Sequence, residues 1–369
     1  MKVTFELRNV LADHGLAKRG VINEMSEYTR IDRRQISKLL NEDEPTVSLH
    51  VLGKVCLWLM SKGVDLATLP GSLFGLAYSE LMPAIAQRGR VDLYLGEYLQ
   101  VFGASPAVSS VSLRDAAVAA DFIQWFSAPP KGIPAPRIQF RYTPLQYPLR
   151  HLAVHKQPLA GDIATAAKAF EEMRRPPVSA SSILIGSQRV NYLLEHYVAG
   201  LFGCRAFETP ANQPRVPFFL VYRRTDHQTP SCFGGPRNPF CRTQVTTPGL
   251  HYISSLRGGG QWRVLPWDSK RADGGLVIIV QDQKTRAIEV AIAGFSGRAT
   301  QALGQKLILE GERFWPQPVV RGNKKVGVYT CRLEFEEAGG TVPVGHDDTC
   351  IRSWDPLPMD ERILGAFLA

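Results

Sequence analysis

Two short turns in the second half of the chain carry residue types suited to holding an anion. Ser182-Ile183-Leu184-Ile185-Gly186-Ser187-Gln188-Arg189-Val190-Asn191 reads as a strand passing through a Gly-Ser turn into a helix that includes Leu193, Leu194, Tyr197 and Leu201. Backbone N–H groups at a helix start, with Ser187 and Arg189 beside them and Asn191 and Glu195 following, suit a phosphate or carboxylate. Gly294-Phe295-Ser296-Gly297-Arg298-Ala299-Thr300 repeats the arrangement after the apolar run Ile288 to Ala293. Ser296, Arg298 and Thr300 are therefore expected at the same pocket, because open α/β sheets bind ligands at strand ends. The alternative is a pair of ordinary capped turns.

Other chemistry is less well supplied. The Gly-x-Gly-x-x-Gly fingerprint is missing, and glycine follows Ser296 directly, which is not the Gly-x-Ser-x-Gly nucleophile elbow. His151 and His155, and the run His346-Asp347-Asp348, lack the rest of a ligand set, so no metal and no cofactor is assigned. Gly258-Gly259-Gly260 reads as a hairpin connection. The catalytic residues, if any exist, are unassigned.

A second kind of chemistry lies near the start. In Ile22 to Asn41, two short apolar patterns cross over a tight turn: Ser26 is small where the helices approach, Ile31 plugs the turn, and Ile36 and Leu39 anchor the second helix from beneath. Asp32 is placed to cap that helix. The opposite face presents Arg33, Arg34, Gln35, Ser37 and Lys38, the side chains that reach base edges and phosphates. Residues 30–38 hold Arg30, Arg33, Arg34 and Lys38 against Asp32, a local excess of three positive charges.

These residues resemble the Cro-like helix-turn-helix family of phage and bacterial repressors, with Phe5 to Leu11 as first helix and Ile36-Ser37-Lys38-Leu39-Leu40-Asn41 closing the recognition helix. Pro45 to Leu52 and Val55 to Leu59 look like the helices that follow. The resemblance covers about residues 3–70, and it implies a five-helix domain, its third helix in the major groove of double-stranded DNA, usually as a homodimer. Lys18 and Arg19 would grip the flanking backbone. Arg30 stands where the family carries glycine, in a turn position that favours positive φ.

The elements that must position these groups divide at proline-rich stretches, above all Ser127 to Pro136. Before that stretch apolar residues recur at helical spacing; after it, β-branched and aromatic runs alternate with helical segments. The chain is thus expected to be multi-domain: an all-α helix-turn-helix domain over 1–75, a helical connector over 76–130, and an α/β ligand-sensing or oligomerisation domain over 137–369. With 369 residues, 44% of them hydrophobic, it can bury sizeable cores. The net charge of +9 suits a polyanionic partner. The six cysteines contain no Cys-x-x-Cys pair and read as reduced thiols. No apolar run approaches the roughly 20 residues of a membrane span, and the start lacks a secretory pattern, so the expected location is the cytoplasm. Together these features predict a sequence-specific transcriptional regulator, a dimeric repressor whose second part senses a small anionic ligand or holds the dimer. The alternative is an enzyme of nucleotide or nucleic-acid metabolism in a mobile-element or phage-defence system, targeted by its helix-turn-helix.

Overall fold

A computed structural model describes residues 3–5, 7–13, 15–41, 48–64, 74–76, 81–100, 108–129, 133–147, 160–175, 180–210, 213–223, 230–257, 260–315, 319–336 and 351–369. The chain forms two units, residues 1–78 and 79–369.

The first unit contains β1 (Val3–Phe5), α1 (Leu7–Asp13), α2 (Val21–Thr29), α3 (Arg33–Asn41), α4 (Leu49–Ser61) and β2 (Phe74–Leu76). Leu7, Val10, Leu11, Met25, Ile36, Leu39, Val55, Trp58 and Leu59 close its core, so each helix turns one apolar stripe inward. Two expectations need correcting. The unit is not all-α, because β1 and β2 pair antiparallel, Val3 opposite Leu76 and Phe5 opposite Phe74, and Phe5 therefore lies in a strand. The two helices expected after residue 45 are one helix, α4, whose first turn is capped by the Ser48 hydroxyl accepting from Val51 N–H at 3.3 Å; Pro45 to Val47 lie outside the described residues.

The second unit runs α5 (Leu81–Ala86), β3 (Arg90–Gln100), β4 (Val108–Val111), α6 (Leu113–Ser127), β5 (Arg137–Tyr147), α7 (Ala160–Arg174), β6 (Ser181–Ile185), α8 (Tyr192–Phe202), β7 (Phe218–Val221), β8 (Gly234–Gly235), β9 (Gly249–Ser255), β10 (Gln261–Pro266), β11 (Ala272–Asp282), β12 (Ile288–Gly294), α9 (Gly297–Leu309), β13 (Val319–Arg321), β14 (Lys324–Phe335), β15 (Ile351–Pro358) and α10 (Glu361–Phe367). It is an α/β arrangement around one large mixed sheet. Residues 76–130 are consequently not a helical connector: β3 and β4 belong to that sheet, and β3 alternates Val91, Leu93 and Leu95 on one face with Asp92 and Tyr94 on the other.

In the sheet, β12, β6, β3 and β5 run parallel as neighbours, while β11 and β14 continue antiparallel beyond β12. One face, with Leu93, Ile183, Ile185, Val290 and Ile292, is covered by α5, α6 and α9. The other, with Tyr94, Leu184, Ala291 and Ala293, packs against α8, α10 and a smaller sheet of β10, β9, β7 and β8. One consequence decides where a site can form. β6 and β12 are parallel neighbours, yet β6 continues into α8 on one face and β12 into α9 on the other. Their outgoing loops part at the strands' carboxyl ends, the position where open α/β sheets form ligand crevices.

Candidate functional site

In the first unit, a three-residue turn, Arg30 to Asp32, joins α2 to α3. Arg30 adopts the left-handed conformation at φ 55° and donates its N–H to Ser26 O, while Ser26 Oγ donates to Ile31 O at 2.7 Å. Asp32 accepts from Arg34 N–H at 2.8 Å and so caps α3. Ile31, Ile36 and Leu39 are buried, whereas Arg30, Arg33, Arg34, Gln35 and Lys38 are exposed. Ser37 is half-buried and accepts from Asn41, whose carbonyl oxygen holds Arg8 at 2.6 Å. Lys18 and Arg19 are exposed beside α2, Lys18 lying 3.6 Å from Glu24.

In the second unit, the crevice between β6 and β12 is built from three loops. Gly186, at φ 105°, has Asp115 of α6 so near that a Cβ there would lie 3.1 Å from its carboxylate oxygen, and Gly297 meets the Arg114 side chain in the same way. Ser112-Leu113-Arg114-Asp115, Gly186-Ser187 and Phe295-Ser296-Gly297 thus converge. Asp115 is 2% exposed. Burial raises its pKa to about 6. Asp273, at the start of β11, accepts from Ser296 Oγ and from Gly274 N–H, the latter at 2.7 Å, yet burial still raises its pKa to about 7. Beside these acids stands an aromatic wall. Tyr222 stacks on Phe295 at 5.2 Å between centroids, Phe295 contacts Trp267 at 5.6 Å, and arginines flank the two ends, Arg189 over Tyr222 and Arg223 over Trp267. The Tyr222 hydroxyl donates to Gln188 Oε1 at 3.0 Å. Buried carboxyl groups and exposed guanidinium groups thus lie around this strand-end switch point.

No family model, curated protein or solved structure matches this chain.

The structure divides the residues singled out in the two turns. Ser187, Arg189 and Ser296 stand at the crevice, joined through the Arg189, Tyr222 and Phe295 stack. Asn191 instead clamps the sheet: its amide donates to Tyr94 O and Ile185 O, and its carbonyl caps α8 at Leu193 N–H. Glu195 is fully buried and accepts from Ser231 Oγ, Cys232 N–H and Phe207 N–H, so it staples the loops around α8. Thr300 closes the turn through Gly294 N–H and Ser296 O. Arg298 lies near enough to Asp273 for its charge to favour the ionised carboxylate, and it also sits 3.7 Å from the Phe335 ring centroid and donates to Lys270 O, beside a groove of about 460 Å³ lined by Arg271, Phe335 and Arg352. Helix-turn polarity placed all seven residues near one strand end, but side-chain direction sorts them, and direction depends on partners distant in sequence. Asp115, Asp273, Gln188 and Tyr222 were missed. A signal existed for two of them: Ser112-Leu113-Arg114-Asp115 has capping-box spacing, and Asp273 precedes a Gly-Gly step before an apolar run. His151, His155, His346, Asp347, Asp348, Gly258 and Gly259 lie outside the described residues.

Proposed function

We propose that the chain is a sequence-specific DNA-binding transcriptional regulator, a dimeric repressor of the helix-turn-helix type, with the crevice of its α/β unit as the sensor. The observation that carries this reading is α3, apolar at Ile36 and Leu39 beneath and exposed at Arg33, Arg34, Gln35 and Lys38 above, reached through a short, tight turn. Such a helix is the right width for the major groove, and its guanidinium groups suit guanine edges and phosphates. In the sensor, the acids at the floor make a purely anionic ligand a poor fit. A small molecule with hydroxyl or amino donors toward Asp115 and an anionic group toward Arg189 matches both ends. The test is selection of duplexes from a random pool by the full chain. Enrichment of one palindromic site, lost in the Arg33→Ala, Arg34→Ala variant, supports the reading; a pool that stays random overturns it.

The enzyme reading has one observation in its favour: two buried carboxyls with pKa values of about 6 and 7 at a strand-end crevice, values suited to proton transfer. Turnover of nucleotides or nucleic acid by the wild type, abolished in Asp273→Asn, would move the assignment to that class.

A further inference from the structure

Two strands away from β6, β5 alternates basic and aromatic residues in Arg137-Ile138-Gln139-Phe140-Arg141-Tyr142. Among the described residues this strand pairs only with β3, Arg137 opposite Arg90 and Tyr142 opposite Leu95. Phe140 and Tyr142, two residues apart, point to the same face. They are 39% and 48% exposed, and their rings stand parallel, centroids 6.0 Å apart and planes within 8°. Large aromatic side chains usually dominate cores, so an exposed parallel pair is a surface on which another flat ring can stack. Charge lies directly beside it. A cavity of about 380 Å³ is lined by Phe140, Arg141 and Tyr142 of β5, by Arg90 and Tyr94 of β3, and by Arg175 just past α7. Two acids share the lining, Asp92 and Glu172. Asp92, 4% exposed, accepts from Arg90 Nε at 2.8 Å and Nη2 at 2.7 Å and lies 3.7 Å from Arg141 Nε, so its charge is met within the protein. The Arg90 and Arg141 side chains stay 34% and 42% exposed, and Arg175 is exposed. Three guanidinium groups against two carboxylates leave an excess of one positive charge beside the rings.

We propose that β5 and the cavity beside it bind single-stranded nucleic acid, with bases stacked on Phe140 and Tyr142 and phosphates held by Arg90, Arg141 and Arg175. Stacking rings next to guanidinium groups match the two repeating parts of a polynucleotide, a flat base and an anionic phosphate. A single strand is the form that fits. In a duplex each base is covered above and below by its neighbours, whereas an unpaired base can splay out onto an aromatic side chain. Stacking tolerates any base, because every base has a π-face, so this surface selects strandedness rather than sequence. It lies in the second unit and does not depend on duplex reading by α3.

The experiment uses the full chain carrying Arg33→Ala and Arg34→Ala, so that the α3 face does not contribute. Fluorescence anisotropy follows its binding to labelled single strands of DNA and of RNA, about 12 nucleotides long and mixed in sequence, and to the matching DNA duplex. At least one single strand should bind more tightly than the duplex. Adding Phe140→Ala and Tyr142→Ala should weaken that binding roughly 5- to 150-fold, while the swap Phe140→Tyr, Tyr142→Phe, which keeps both rings, should preserve it. Arg175→Gln should lower the slope of log affinity against log salt by about 0.7, the share of one single-strand phosphate. Absence of single-strand binding, a duplex bound as tightly as both single strands, an affinity unchanged by loss of the two rings, or equal loss in the ring-preserving swap overturns the proposal; none of these outcomes bears on the selection of duplexes by α3.

Discussion

At the residue scale, Asp115 carries a stability cost that varies with pH. An ionised carboxylate with 2% exposure costs free energy through lost solvation. Its folded pKa of about 6 lies above the ordinary carboxylate value, so the folded state binds the proton more tightly than the unfolded chain. Its contribution therefore favours folding most at low pH, declines as pH rises toward 6, and is flat above that. The full penalty at pH 8 is roughly 3 kcal/mol, from about 1.4 kcal/mol per pH unit. Asp115→Asn should raise stability at pH 8 by roughly 1–3 kcal/mol in denaturant titrations, with the gain shrinking steadily toward pH 4; a gain independent of pH would show that the carboxylate is not buried in its charged form. Arg30 gives a second residue-level prediction. A non-glycine residue at φ 55° is strained by about 1 kcal/mol or more, so Arg30→Gly should raise Tm by a few degrees in a thermal melt. If Arg30 also contacts phosphate, the same variant binds DNA less well while melting later, and an unchanged Tm would place no strain at the turn.

At the scale of elements, the turn between α2 and α3 was legible because short-range chemistry builds it: Ser26, Ile31, Asp32, Ile36 and Leu39 each act within a few residues of their partners. Ile36→Ala removes a side chain with 0% exposure from the first unit's core and should cost about 2–5 kcal/mol, read from urea unfolding of that unit's transition; a loss below 0.5 kcal/mol would mean the core is not closed there. The strand and helix character of the α/β unit was legible in the same local way, from the β-branched run of β11 and the capped start of α9. What escaped was non-local. β3 looked helical in a segment rich in leucine and alanine, and only its place between β5 and β6 selects the strand. Gly96 shows that placement: a Cβ there would fall 1.4 Å from Val190 O, because the loop after β6 crosses directly over β3. Nothing in the sequence around Gly96 names residue 190. The crevice itself was half legible. Its two loops were visible as Gly-Ser turns, while the aromatic wall, Asp115 and Asp273 come from segments whose proximity only the fold creates.

For the whole molecule, the proposed DNA-reading face lies in residues 1–78 and the proposed ligand site in residues 79–369. If the crevice is the sensor, then Arg189→Ala or Asp273→Asn should leave DNA binding intact and remove the response to the small molecule that normally releases it, a separation measurable once the bound duplex is known. The central claim, that the α3 face binds duplex DNA, is tested most directly by a fluorescence-anisotropy titration of the selected duplex at several salt concentrations, comparing the wild type with Arg34→Ala. The wild type's affinity should fall linearly in log–log form with salt, and the variant should lose about 1–3 kcal/mol, roughly 5- to 150-fold. Equal affinities of the two proteins at every salt concentration would contradict it.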